Sequence, residues 1–500
     1  MSQPNRVAAG ISGYPAGKCD PMSTFRDPAG ELRLTEHHAL RRIRPSAENE
    51  TRAFLDSSLR VALEQSGDLV QTRIASSASH PCVSPGELWL EHPRIDPITY
   101  PWEWTPAQWQ AAAELTLRVA QQAITSGWTL KDATPLNILF DGPRPVLVDV
   151  LSFEHRDPHA SVWLAYGQFV RTFLFPLVAA KYLNWPLQAT LFWRDGYEPE
   201  QIYHALPFVH RLNPDLLDVV TLATLFERPG RTRQTPRKPP AAIDPGLATH
   251  ILEKRIARLQ RQIRHAAGRR TRSQWSEYTQ TATHYQPSDL DDKQAYVQNV
   301  LARCGPARVL DLGANTGTFS LMAAGCGAEV VAIDVDAAAL EILGRAAAGE
   351  HKPVTTIVAN IARPTPAAGW LNEEHFSLLE RLTGKFDMVL MLALVHHLIL
   401  REQLPLGHIG DLCARLTRRW LVLEWVPPSD PMYQEWLRGR DDLYGHFTES
   451  DLTEALARNF ALADRCELGN GRVIILFERV KQGSDAEAAA DILHTETSVE

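Results

Sequence analysis

Apolar positions along this chain recur in two rhythms, and the changes between them mark the elements. In the C-terminal half, a short apolar run from Arg308 to Leu312 carries Asp311 and turns at Gly313. The spacing then becomes helical (Phe319, Leu321, Met322, Ala324), and a second run, Glu329 to Ile333, ends on Asp334. Strand, glycine loop, helix, strand and acid are half of a doubly wound nucleotide-binding sheet. Pro353 to Ala359, ending on Asn360, and the strongly apolar Lys385 to Leu392 read as a third and a fourth strand. Arg419 to Val426 reads as a fifth, and Leu462 to Cys466 with Arg472 to Glu478 as a closing antiparallel pair. A helix carrying Tyr296, Val297, Val300 and Leu301 is expected to begin near Ser288.

The N-terminal half is patterned differently. A short hairpin is expected over Ser23 to Ile43, with turn residues Asp27, Pro28 and Gly30. Glu48 to Gln65 reads as a helix with Phe54, Leu55, Leu59 and Leu63 on one side, and Leu69 to Ile74 and Glu87 to Leu90 as strands. Thr105 supplies an N-cap, Pro106 the first helical position and Gln108 a capping box for a helix reaching about Thr125. Two strands, Ile138 to Phe140 and Val146 to Val148, flank a DGPRP turn. Val162 to Phe226 is helical and aromatic, the pattern of a core.

Between the halves, residues 228–272 hold 13 Lys and Arg against 2 acids. The segment opens proline-rich and continues as a helix with Leu252, Ile256, Leu259 and Ile263 at 4, 3, 4 spacing. That charge could attract phosphate, so nucleic-acid binding is a reading, but a solvated helix packed on its own domain is the favoured one. The resulting division is a tail (1–22), an α+β domain (23–227), the basic linker and helix (228–272), an α/β domain (273–480) and an acidic tail (481–500). No apolar run reaches the roughly 18 residues that cross a bilayer, and the N-terminus lacks a signal pattern, so a cytoplasmic protein without a membrane span is expected. The six cysteines are scattered without metal or disulfide spacing and are expected to be reduced. A net charge of −8 argues against a general nucleic-acid binder.

The chemistry concentrates in two stretches. In the first, Gly313 permits a sharp turn and Gly317 a close backbone approach to a ligand. Asp334 lies about 20 residues further on, where an acid receives ribose hydroxyls. A dinucleotide motif would place glycines where Asn315 and Thr318 stand. Asp311 would repel a pyrophosphate but suits a cationic amino group. D-x-G-x-N-x-G followed by AIDVD resembles motif I and the acidic loop of class I S-adenosylmethionine (AdoMet) methyltransferases, over roughly residues 275 to 480. The resemblance implies a Rossmann-like seven-stranded domain, AdoMet as cofactor, and Asp311, Gly313, Asn315, Gly317, Asp334 and Asn360 as cofactor-binding residues, with Asn360 against the adenine amino group. It also implies a substrate-facing loop after the fourth strand, where His396 and His397 are candidate bases; a helix opening with core contacts is the alternative for them. Glu424, ending the fifth strand, is a further candidate, and no metal is implied in this domain. Trp275, Tyr278, Thr281 and Tyr285 would form a flap over the site or simply pack. Trp275, Tyr278, DLGANTG and HHL together also resemble nodulation methyltransferases of the NoeA type.

The second stretch is WTLKDATPLNILFDGPRPVLVDV. Asp132 and Asn137, five apart in a loop, and Asp149 after the hairpin resemble the catalytic loop and metal-binding hairpin of kinase-like phosphotransferases of the aminoglycoside type. That resemblance implies Asp132 orienting an acceptor hydroxyl, Asn137 and Asp149 holding Mg²⁺, and Mg-ATP as a ligand of the domain. Leu130-Lys131 replaces the usual lead-in, Val150-Leu151 follows the second acid, and neither a glycine-rich nucleotide loop nor a phosphate-gripping lysine can be named upstream.

The expected activity is AdoMet-dependent methyl transfer to oxygen or nitrogen of a small molecule or glycan, with the kinase-like domain binding or presenting the acceptor. A bifunctional kinase-methyltransferase, an RNA or protein methyltransferase, and a non-catalytic AdoMet-binding scaffold stay open beside it. The loop after the fourth strand lacks the N/D-P-P-Y of adenine-N6 and glutamine methyltransferases and a Pro-Cys nucleophile, which demotes those acceptors and cytosine C5.

Overall fold

A computed structural model of the chain describes residues 20–21, 26–226, 243–268, 287–437 and 446–480. The acidic tail, nearly all of the N-terminal tail, the proline-rich start of the basic segment, and Trp275, Tyr278, Thr281 and Tyr285 lie outside the described residues. The chain divides into two compact units, residues 1–276, 336–359 and 365–381 in one and 277–335, 360–364 and 382–500 in the other.

The first unit begins with a five-stranded antiparallel sheet. Its strands are β1 (Asp20–Pro21), β2 (Gly30–Leu34), β3 (His38–Ile43), β4 (Arg73–Ile74) and β5 (Trp89–Pro93), in the order β1-β2-β3-β5-β4. The hairpin forms, but its turn is at 35–37, where the Thr35 backbone N–H and hydroxyl both donate to the His38 carbonyl. Asp27 makes the turn that opens the hairpin, its carboxylate accepting from the Ala29 N–H. The helix expected over 48–65 is two helices, Pro45–Leu55 and Ser58–Ser66. Ser57 breaks it by accepting from the Arg60 N–H as an N-cap, a local competition that apolar periodicity does not register.

Thr105 and Gln108 form the reciprocal capping box as expected, starting the 20-residue helix Pro106–Thr125. Ten of its side chains are buried, so it forms the spine of this unit. Behind it come β6 (Trp128–Leu130), the hairpin β7 (Ile138–Asp141) and β8 (Arg144–Leu147), and β9 (Phe153–His155), which pairs with β6. Phe54 stacks on Phe153, ring centres 4.1 Å apart, joining the first helix to β9. The helix Pro245–Ala267 buries its Leu252, Ile256, Leu259 and Ile263 seam in the same core, against Pro106–Thr125. Its arginines occupy the remaining faces, Arg258 bonding Asp218 at 2.6 Å.

The reduced-cysteine expectation fails at Cys82, which is disulfide-bonded. Sequence spacing carries no information on whether two Cβ atoms approach to bridging distance. Cys304, Cys326, Cys413 and Cys466 are free thiols.

The remaining strands are β10 (Arg308–Leu312), β11 (Glu329–Asp334), β12 (Val354–Val358), β13 (Phe386–Met391), β14 (Thr417–Trp425), β15 (Phe460–Glu467) and β16 (Val473–Arg479). They form one mixed sheet in the order β12-β11-β10-β13-β14-β16-β15. β10 runs parallel to β11 and β13, β13 parallel to β14, and β16 is antiparallel to both β14 and β15. The chain adds strands to one side of β10 and then jumps to the other. The switch point for a ligand therefore lies at the carboxyl ends of β10, β11 and β13. Among the described residues no helix is long and apolar enough to cross a membrane.

Candidate active site

β10 ends with Asp311 almost completely buried, 3% exposed. Gly313 (φ +76°) turns the chain and its N–H donates to the Ile333 carbonyl at 2.9 Å, stitching the loop to β11. Asn315 takes a left-handed conformation at φ +49°, which asparagine tolerates better than most residues. Its backbone N–H donates to Oδ2 of Asp334 at 2.9 Å, so the acid that ends β11 braces the glycine loop. Gly317 (φ +87°) is the N-cap of the helix Thr318–Gly325. From that helix Ser320 donates its hydroxyl to Oδ2 of Asp311 at 2.6 Å.

These contacts converge on two carboxylates. Burial raises the Asp311 carboxyl to about 6, with Asp334 adding to the rise, while the Ser320 hydrogen bond and Lys293 act against it. The Oδ1 atom of Asn315 is buried and without a hydrogen-bond partner among the described residues. A buried carboxylate with a raised pKa, a second acid nearby and an orphan acceptor suit a ligand that brings donors and positive charge. Asn360 follows β12, where its side chain is already engaged: Oδ1 accepts from the Ala362 N–H at 2.8 Å and Nδ2 reaches Glu402 at 3.3 Å.

After β13 the backbone passes through Ala393 at φ +52°, an uncommon conformation for a residue with a Cβ, and enters the helix Val395–Leu400. The two histidines thus open a helix, and His396 is only 5% exposed. Their rings lie 4.2 Å apart. Burial first, and then the charges of His397, Arg472 and Lys293, hold His396 well below the usual imidazole range. Burial and the Arg401 and Arg472 charges bring His397 down to about 4. Both are neutral imidazoles at neutral pH. Nδ1 of His396 is buried without a hydrogen-bond partner among the described residues.

Glu424, fully buried near the end of β14, binds Lys293 at 2.5 Å and Arg472 at 3.5 Å, and Arg472 also binds Asp430 at 2.8 Å. A carboxylate between two cations is a structural charge, not a free base, and breaking such a buried pair costs about 3–5 kcal/mol. Ser320, Lys293 and Arg472 were not foreseen from the sequence. Their partners are separated by 9, 131 and 48 residues, beyond the reach of any local pattern.

In the first unit, Asn137 and Asp149 do meet. Nδ2 of Asn137 is 3.5 Å from Oδ2 of Asp149, and both touch the hydroxyl of Ser152. The other Asp149 oxygen is bound by Arg41 from β3. Burial pushes the Asp149 carboxyl up, but the Arg41 charge and the Ser152 hydrogen bond outweigh it and leave the group lowered. Asp132 is raised, first by burial and then by the Asp149 charge. Arg41, the cation that pairs with Asp149, lies 108 residues from it in the chain, beyond any local pattern.

No protein-family model matches this sequence. Nodulation protein NoeA of Rhizobium meliloti (strain 1021) is 27% identical over 474 residues, covering 91% of this chain and 95% of that protein. Solved structures similar to part of the chain include magnesium protoporphyrin IX methyltransferase from Synechocystis PCC 6803 with bound SAM. That protein is 19% identical, with 39% of this chain and 82% of that one covered and a TM-score of 0.28. N-methyltransferase NodS from Bradyrhizobium japonicum WM9 is 13% identical over 39% of this chain and 98% of that one, at a TM-score of 0.29. The bifunctional kinase-methyltransferase WbdD is 22% identical over 39% of this chain and 40% of that one, at 0.28.

Proposed function

We propose that the chain is an AdoMet-dependent methyltransferase acting on an oxygen or nitrogen of a small molecule or glycan. The observation that carries this reading is the Asp311–Ser320 pair behind the Gly313–Gly317 loop, at the point where the strand order reverses. The residues fit the cofactor chemically: a buried carboxylate raised to about 6 gains most from a cationic amino group. Asp334, already bracing the loop, supplies acceptor capacity for ribose hydroxyls. Asn315 offers its orphan Oδ1. Asn360 would meet an adenine only by exchanging its present partners. AdoMet, when bound, supplies a methyl group on an electrophilic sulfonium.

The chain's own residues then have to align the acceptor and take its proton where it must lose one. His396 suits the second task, since a neutral imidazole with an unpartnered Nδ1 can accept a proton. Burial makes it a weak base in the resting protein, so an acceptor that carries its own polarity into the site is favoured.

For the kinase-like region we infer a domain that binds or presents the acceptor without phosphoryl transfer. Arg41 and Ser152 occupy both oxygens of Asp149, the residue that Mg²⁺ would need. Calorimetric titration of the whole protein separates the readings. AdoMet binding that Asp311→Ala abolishes, with no heat from Mg-ATP, is the expected result. Unaltered AdoMet affinity in the variant would overturn the site, and Mg-ATP binding would restore the bifunctional alternative.

A further inference from the structure

β3 and β5 are neighbours in the first sheet, with Leu40 opposite Glu91 and His38 opposite Pro93. Alternate residues of a strand share a face, so His38 and Glu91 lie diagonally on the same side of the sheet. The segment joining β4 to β5 brings a third donor to them. Nε2 of His80 is 2.8 Å from Oε2 of Glu91, while Nε2 of His38 is 3.4 Å from Oε1 of the same carboxylate. One ligand atom from each of the three residues lies within 4.8 Å of the other two. The imidazole rings meet edge to face at 5.2 Å and 72°, not stacked.

A tetrahedral ion with ligand bonds of about 2.0–2.1 Å holds its ligand atoms about 3.3 Å apart. The separations of 2.8 and 3.4 Å end on different oxygens of the Glu91 carboxylate, and with all three donors within 4.8 Å of one another a small closure would bring them to that edge. Two imidazoles and one carboxylate are a donor set of intermediate softness, suited to zinc. His38 is 37% exposed at its side chain, against 12% for His80 and 22% for Glu91, leaving its side open to a water as fourth ligand.

The setting gives such a site work to do. The segment between β4 and β5 reads ASSASHPCVSPGEL, polar and rich in serine and proline. Apart from Leu88 at its end, its buried apolar side chains are Ala75 and Val83, which form a small cluster with Leu40 and Trp89 of the strands and with Cys82 beside it. So small a cluster offsets little of the entropy of ordering that length of chain. The Cys82 disulfide already restrains the segment, and a bond from His80 to the two strands would add a second tether beside it.

We propose that His38, His80 and Glu91 form a three-ligand Zn²⁺ site that clips this segment to the sheet. The site is independent of the methyltransferase reading. Its test is a zinc titration of the full-length protein after chelator treatment and dialysis, followed by calorimetry. His38→Ala, His80→Ala and Glu91→Gln are measured alongside, each checked for native circular dichroism. Wild type should take up one equivalent more than the variants, or bind that equivalent at least tenfold tighter. Zn²⁺ should raise its thermal midpoint but not theirs. If His80→Ala misfolds, the strand variants His38→Ala and Glu91→Gln carry the comparison. Equal uptake and affinity in wild type and folded variants, or no uptake by wild type, would reduce the cluster to two imidazole–carboxylate hydrogen bonds.

Discussion

Ser320 donates to Asp311 across 2.6 Å in a site where the carboxylate is almost wholly out of water. The pair ties the end of β10 to the first turn of the helix that follows the glycine loop. One hydrogen bond does not cancel the cost of burying the charge, since Asp311 still stands near 6. The buried carboxylate is kept at the expense of stability above its raised pKa.

Substituting Asp311→Asn should therefore separate stability from binding. Moving the carboxyl from 3.8 to about 6 corresponds to about 3 kcal/mol at neutral pH, an order-of-magnitude figure. The ligand-free variant should melt higher than wild type while its AdoMet affinity falls at least a hundredfold. Ser320→Ala, which removes one hydrogen bond to a charge, should weaken binding by about tenfold or more. Scanning calorimetry and AdoMet titration read the two effects. A variant that is less stable and binds normally would refute the assignment.

The same group sets a pH dependence with a definite sign. A folded pKa above the unfolded one means the native state binds the proton more readily. The Asp311 contribution to stability is thus fully present below about 3.8 and lost as pH rises through about 6. AdoMet affinity should run the other way, rising through the same window as the carboxylate ionises. Titrations at pH 5 and 7.5 check it, and a flat affinity would assign the amino-group contact elsewhere.

Glu103 and Arg381 form a pair within the first unit, 2.5 Å apart with side chains 0% and 3% exposed. Arg381 also donates to the Ile98 carbonyl and lies 4.8 Å from the Tyr100 ring. Arg381→Ala leaves a buried carboxylate without its cation, so a loss of about 3–5 kcal/mol in urea unfolding is expected. Adding Glu103→Gln should recover part of it. A surface-like loss below about 1 kcal/mol would mean that the pair is hydrated in solution.

His396→Gln should reduce methyl transfer by about 10²–10⁴-fold and leave AdoMet affinity within a factor of two, the pattern of a base that acts on the acceptor. His397→Gln should be milder. Because both imidazoles stay neutral below the usual histidine range, the acid limb of the rate should follow cofactor binding through Asp311. Labelled methyl incorporation from AdoMet into a cell extract provides the assay. An unchanged rate in His396→Gln would leave both histidines as the packed opening of a helix.

Much of this was legible in the chain because local physics wrote it there. Apolar runs set β10, β11 and β13 within a residue or two. The 4, 3, 4 seam from Leu252 to Ile263 identified a helix with one buried side. Thr105, Pro106 and Gln108 specified a helix start through hydrogen bonds that span three residues. Where local signals compete, periodicity misleads, as at Ser57, whose hydroxyl ends one helix and starts another.

The sequence by itself determined the strand–glycine–helix–strand unit, the acids at its strand ends and the positions of Asn137 and Asp149. Each of these depends on backbone preference or on residues a few places apart. Tertiary structure alone decided which charges neutralise one another: Arg41 with Asp149, Lys293 and Arg472 with Glu424, Arg381 with Glu103. It also raised Asp311, kept His396 neutral and gathered His38, His80 and Glu91. Coulomb interactions and desolvation depend on distance and dielectric through space, and those are fixed only when strands and helices remote in sequence have packed.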